Sequence, residues 1–138
     1  IKSLLSNCVT LTFVHTHNKF YITTDASMLG IGCVIHDEKD RPIAFYSRRL
    51  TTAEQKYSTF DRELLAIYLS VKKFQYLLEG TSATVRTAHK PLVHINQMKN
   101  PSPRQLRQLC YLSQFQLQIE YIRGRDKYCS RYIVKRGL

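Results

Sequence analysis

Ten acids, five histidines and four cysteines are the side chains from which a metal centre or an acid–base pair would have to be built in this 138-residue chain. Of the acids, Asp37, Glu38 and Asp40 fall together in HDEKDRP, which reads as a hairpin turn. Any carboxylate–metal site must therefore draw on Asp25, Glu54, Asp61, Glu63, Glu79, Glu120 and Asp126. The cysteines Cys8, Cys33, Cys110 and Cys129 stand far apart, with no C-x-x-C pair, and read as buried or free thiols in a reducing compartment. His15-x-His17 would place two imidazoles on one face of a strand; with no third ligand in view, surface histidines are the expectation. Gly30-x-Gly32 lacks the third glycine and the following helix of a dinucleotide site, and reads instead as close backbone approach.

The cations outnumber the acids. Lys and Arg total 21, for a formal net charge of +11, which suits a polyanionic partner such as nucleic acid or an anionic surface. Arg48–Arg49, Arg104, Arg107 and a C-terminal run of Arg123, Arg125, Lys127, Arg131, Lys135 and Arg136 carry much of it. Tyr121, Tyr128 and Tyr132 interleave that run and would stack on bases or sugars. The other reading of the run is a solvated basic helix. Lys72–Lys73 read as a solvated helix face.

An apolar fraction of 43% over this length supports one domain with a buried core and excludes a disordered chain. No apolar run approaches the roughly 18 residues of a membrane span, no signal-peptide pattern opens the chain, and no membrane partner is expected. The expected compartment is intracellular, cytosol or nucleus. The chain opens on Ile1 rather than Met, as a segment of a longer protein would.

Residues 1–17 lack a clear period and read as a lead-in from a preceding region, partly helical at the start; the domain proper is expected over 18–138. FYITTDAS, GIGCVIH and PIAFYS are rich in β-branched and aromatic residues and predict an antiparallel three-strand meander. Thr51-x-x-Glu54 has the form of a capping box, and Ser58-x-x-Asp61 is a weaker variant. Apolar residues then recur at helical spacing from Phe60 to Leu78, about five turns, and Gly80 ends the helix. Tyr57, Phe60, Tyr68, Phe74 and Tyr76 read as core or half-core aromatics of that stretch. SATVRTA predicts a fourth strand, and PLVHINQM a short helix opened by Pro91. NPSPR reads as a loop, followed by a helix from Arg104 to about Ser113. FQLQIEYIRG alternates strictly, with Phe115, Leu117, Ile119 and Tyr121 on the buried side of a fifth strand. The basic C-terminal residues would close as a helix. The fold class is α/β: a mixed five-stranded sheet flanked by helices.

These strings together resemble the ribonuclease H domain of Ty3/gypsy-type retrotransposon reverse transcriptases. The family's patterns are TDAS-x-x-GIGAVL, PIAYxSRxLxxAExxYSxxExELLA, TDHKPL and FxFxIxYxxGxxNxxADxLSR. This chain reads TDASMLGIGCVI, PIAFYSRRLTTAEQKYSTFDRELLA, TAHKPL and FQLQIEYIRG in the same order, over roughly residues 18–135. The resemblance implies a ribonuclease H-like fold and cleavage of RNA in RNA–DNA hybrids by two Mg²⁺ held in a four-carboxylate cluster. Carried over position by position, Asp25 and Glu63 supply two of the four acids. Ala88 stands at the third, and the ungapped match places Arg131 at the fourth; the family's second-helix tryptophan is Gln108.

Asp61 cannot replace Glu63, since two residues along a helix turn the side chain about 200° away. Asp126 precedes Arg131 by five residues and would need an altered path to reach the site. The expectation is therefore a catalytically inactive ribonuclease H-like domain acting as a binding or scaffold module. It would have no cofactor as written, at most one weakly held Mg²⁺ at Asp25 and Glu63. Arg131 is expected to pair with Asp25 or Glu63 in place of the metals. The expected partner is an RNA–DNA hybrid or double-stranded RNA, contacted by His89, Lys90, Arg104, Arg107, Arg123, Arg125 and Lys127, or else a protein; the oligomeric state stays open. His89 alternatively caps the short helix that follows it. The alternative function is a Ty3/gypsy ribonuclease H working by two-Mg²⁺ catalysis, seen here as an inactivated variant, with Ala88 either natural or engineered.

Overall fold

In a computed structural model that describes residues 19–39 and 41–123, the chain forms a five-stranded sheet in the order β3-β2-β1-β4-β5. The strands are β1 (Lys19–Ala26), β2 (Gly30–His36), β3 (Pro42–Arg49), β4 (Ser82–Thr87) and β5 (Gln116–Tyr121). The helices are α1 (Thr52–Gln55), α2 (Thr59–Lys73), α3 (Gln75–Leu78) and α4 (Pro103–Leu112), with a 3-10 segment over Lys90–Gln97. β1, β2 and β3 pair antiparallel, whereas β4 runs parallel to β1 and β5 parallel to β4. This is the expected meander plus two strands, a ribonuclease H-like α/β architecture. Among the expectations that fall outside the described residues are the lead-in over 1–17, the C-terminal helix, the His15/His17 pair and the contacts of Arg131.

Period-two alternation sorts the sheet into two faces. Phe20 and Ile22 of β1, Cys33 and Ile35 of β2, and Ala83 and Val85 of β4 pack against Leu64, Ile67 and Val71 of α2 in one fully buried core. β2 is buried along its whole length. Cys33 is a free thiol within that core, and burial pushes its pKa up to about 12, so it is inert filling.

Both predicted caps form. Thr51 and Glu54 exchange side-chain and backbone hydrogen bonds around α1, and Ser58 accepts from the Asp61 amide at the start of α2. The single long helix expected over 60–78 is instead two. Phe74 leaves helical geometry at φ −108°, ψ 28°, and α3 restarts after it. The break keeps Phe74 buried edge-on against Tyr46 and brings Leu77 and Leu78 onto the same core. It also turns Tyr76 outward, so that residue is 57% exposed rather than half-core. Gly80, at φ +76°, then reverses the chain in a conformation that favours glycine.

The short helix expected after Pro91 is a 3-10 segment, kinked at His94. α4 begins at Pro103, inside the predicted loop, because Ser102 and Gln105 form a second capping box. β5 alternates as expected at Leu117 and Ile119, but Tyr121 is 43% exposed at its end.

Candidate functional site

Asp25 sits near the C-terminal end of β1, the middle strand of the sheet, where its Oδ1 accepts from the Ala26 amide at 3.0 Å. Its antiparallel neighbour is Gly32. On the other side, the parallel register runs from Lys19 opposite Ser82 to Thr23 opposite Arg86. Ala88 follows directly on the last residue of β4, the strand that lies beside β1. Glu63 lies in the second turn of α2, which packs across β1 and β2, and it is buried together with Leu64, Ala66 and Ile67. The fold thus places Asp25 and Glu63 on the strand and helix from which the resemblance draws two acids.

Magnesium, which that resemblance implies, meets a short donor set here. Two close dications require several hard oxygen ligands. Among the described residues no group of three or more His, Cys, Asp or Glu comes together to hold a metal ion, and Ala88 offers none. The described residues do not fit a two-cation centre.

The cations assigned to nucleic acid divide by their surroundings. Lys90, Arg107 and Arg123 are exposed. Arg104 is tied inward: its guanidinium stacks 3.9 Å from the Tyr57 ring and pairs with Asp61 at 3.1 Å. Arg48 is likewise held by Glu54 at 2.9 Å. Burial would push the Glu54 carboxyl up, but hydrogen bonds from Thr51 and the Arg48 guanidinium hold it below its ordinary value. Lys72 and Lys73 are exposed as expected, each over a tyrosine ring. His89 stands at the cap position of the 3-10 segment, yet its side chain makes no cap hydrogen bond. Its ring meets Phe60 edge-on at 5.9 Å, and partial burial lowers its pKa, favouring neutral imidazole. Arg125 and Lys127 lie outside the described residues.

Two acids prove to be structural. Asp37, expected in a charged turn, has a fully buried side chain. Its Oδ1 accepts from the Lys39 and Arg41 amides at 2.9 Å, and its Oδ2 from Arg41 Nε at 2.7 Å. Asp61 joins α2 to α4 through Arg104 and through Gln105 at 2.7 Å. The S-P-R-Q spacing at 102–105 marks the helix start that makes this clamp, although nothing in it points to Asp61.

The strand order, the crossover helix and the acids at the end of β1 and on α2 define a ribonuclease H-like domain. The sequence agrees: residues 15–115 match the family described as the RNase H-like domain found in reverse transcriptase, and the chain belongs to it. It is 35% identical over 126 residues to the retrovirus-related Pol polyprotein from transposon 297 of Drosophila melanogaster, covering 91% of this chain and 12% of that protein. It is 34% identical over 136 residues to the Pol polyprotein from transposon gypsy of the same organism, covering 98% of this chain and 13% of that one. The chain therefore spans only about an eighth of the length of these relatives. Among solved structures, LC11-RNase H1 superimposes with a TM-score of 0.66 at 20% identity, over 84% of this chain and 92% of that one. A foamy viral protease–reverse transcriptase in complex with dsDNA gives 0.67 at 18% identity, over 78% and 24%. These two likenesses concern the fold.

Proposed function

We propose that this domain keeps the ribonuclease H scaffold of a gypsy-type element as a binding module and has lost the metal-dependent cleavage. The observation that carries the reading is Ala88 directly after β4, the strand paired with β1, which puts a methyl group where the family's motif has a carboxylate. Arg131 at the fourth position adds a cation where a metal cluster needs an anion. The remaining acids, Asp25 and Glu63, would at most hold a single cation whose shell is mostly water.

Binding is read as contact with an RNA–DNA hybrid or double-stranded RNA through phosphates. Lys90, Arg107 and Arg123 supply exposed charge, within a chain of net +11. His89, whose pKa partial burial lowers, would act there chiefly as a hydrogen-bonding group.

The test compares the chain with its Ala88→Asp, Arg131→Asp and double variants on a labelled hybrid in Mg²⁺ and Mn²⁺. Cleavage by the double variant alone is the expected result. Cleavage by the unaltered chain that Asp25→Asn abolishes would overturn the proposal. Binding of the hybrid should weaken steeply with salt. A protein partner, held instead of nucleic acid, would show little salt response.

A further inference from the structure

We infer that the far end of α2 carries a site for single-stranded nucleic acid, built where the helix breaks at Phe74. Lys72 and Lys73 close α2, and Tyr76 follows in α3. Lys73 lies ten residues beyond Glu63, roughly 15 Å along a helix axis. The inference goes beyond the hybrid-binding reading and shares no residue with it.

Each lysine is held over a ring. Lys72 Nζ lies 5.7 Å from the centroid of Tyr68, and Lys73 Nζ lies 5.8 Å from that of Tyr46. The rings are braced in turn. Tyr68 meets Tyr111 edge-on at 5.3 Å, and Tyr111 donates its hydroxyl to Gln75 Oε1 at 2.8 Å. Tyr46 meets Phe74 edge-on at 6.4 Å, and the Phe74 ring lies 6.5 Å from that of Tyr76. Cations held over aromatic faces are positioned before a ligand arrives, and less side-chain freedom is lost on binding. Both lysines are exposed, and among the described residues neither forms an ion pair. Glu79, at the end of α3, accepts instead from Gln75 Nε2 at 2.8 Å.

Tyr76 supplies the second ingredient. At 57% exposure it is the most exposed Phe or Tyr among the described residues. Phosphate-facing cations beside an open ring are how sequence-tolerant single-strand sites are built. The ring also selects the ligand. An unpaired base can stack on it, whereas the bases of a duplex or hybrid are already stacked inside the helix. An acidic peptide would satisfy the lysines and leave the ring unused. The lysines also stand in the last turn of α2, where unpaired carbonyls favour cations whatever they bind, so binding must be measured apart from helix stability.

Anisotropy titrations use the full chain with a fluorescein-labelled oligothymidylate of about twelve nucleotides, within the usual single-strand site sizes. An RNA–DNA hybrid of equal length and labelled polyglutamate are titrated alongside. The variants are Tyr76→Ala, Tyr76→Phe and the double change Lys72→Gln with Lys73→Gln. Thermal unfolding verifies that each folds, and the exposed Tyr76→Ala carries the test if the lysine pair does not. Tyr76→Ala should weaken single-strand binding roughly tenfold, within the range for loss of one stacked base. Tyr76→Phe, which keeps the ring, should restore most of it. The lysine pair should lower the single-strand salt slope by about 1.4, two phosphates at about 0.7 each. On the hybrid and on polyglutamate, Tyr76→Ala should change affinity by less than about twofold, since neither offers an unpaired base.

No single-strand binding by the unaltered chain, or a change below twofold in Tyr76→Ala, would overturn the site. Equal losses in Tyr76→Ala on the hybrid or on polyglutamate would also overturn it. So would a lysine pair that lowers the unfolding temperature and leaves the salt slope unchanged, because only the helix-end role would remain. If the unaltered chain binds the single strand with these sensitivities and does not bind the hybrid, the site stands and the hybrid reading falls.

Discussion

The two faces of the sheet are made from the same strands and do opposite work. Toward α2, β1 presents Phe20 and Ile22, which are wholly buried against Leu64, Ile67 and Val71. On the other side the alternate residues are Tyr21, Thr23 and Asp25. There Thr23 Oγ1 meets His36 Nε2 at 3.0 Å, His36 stacks on Tyr21, and Arg86 covers that ring. The first face is held by non-directional apolar burial, which tolerates no polar intruder. The second is held by directional contacts whose outer members still carry charge. One face is therefore an apolar core, and the other is built from directional polar, aromatic and charged contacts.

The largest effect expected from breaking this division is on the apolar face. Ile67→Ala should cost about 2–5 kcal/mol, as large-to-small core changes do, read from the denaturant midpoint. Nucleic-acid affinity per folded molecule should not change. The next largest belongs to a polar anchor at the end of β2. Asp37→Asn removes the partner of the Arg41 guanidinium and weakens the acceptor of two amides, at about 1–3 kcal/mol.

That anchor also has a pH signature. Burial would push the Asp37 carboxyl up, but the Arg41 and Lys39 hydrogen bonds and the Arg41 charge overcome it and hold it below its ordinary value. Its contribution is thus complete above an unfolded pKa of about 3.9 and is lost as pH falls through the lower folded value. Urea midpoints measured from pH 6 downward should show Asp37→Asn losing less stability with acid than the unaltered chain. The smallest effect on stability is expected from Arg107→Gln on the exposed side of α4, within about 0.5 kcal/mol. The same change should reduce hybrid affinity and its salt slope by about 0.9, which separates a binding residue from a folding one.

The elements were legible wherever the signal is local. Thr51–Glu54 announced its cap and β5 its alternation, because both depend on neighbours within a few residues. The motif positions of Asp25 and Glu63 were equally legible, and the fold puts them on β1 and α2. What stayed hidden was the use of each charge. Arg104 counted as a nucleic-acid cation until its partner Asp61, 43 residues away, came into contact through the packing of α4 on α2. Asp37 looked like one acid of a solvated turn, and only the closing of the hairpin shows it buried with three donors. The break at Phe74 was hidden for the same reason. No proline or glycine marks it; the need to keep that ring against Tyr46 does.

The sequence by itself determined the family, the strand and helix order, and the identity of Ala88 within TAHKPL, since motifs, periodicity and caps are written in consecutive residues. The tertiary structure decided that β4, which ends just before Ala88, lies beside β1, that some cations are tied inward while others stay exposed, and that Lys19, Arg86 and Lys90 border one groove. Those facts depend on which strands lie side by side, and pairing between segments 60 residues apart is settled only when the chain closes around its core.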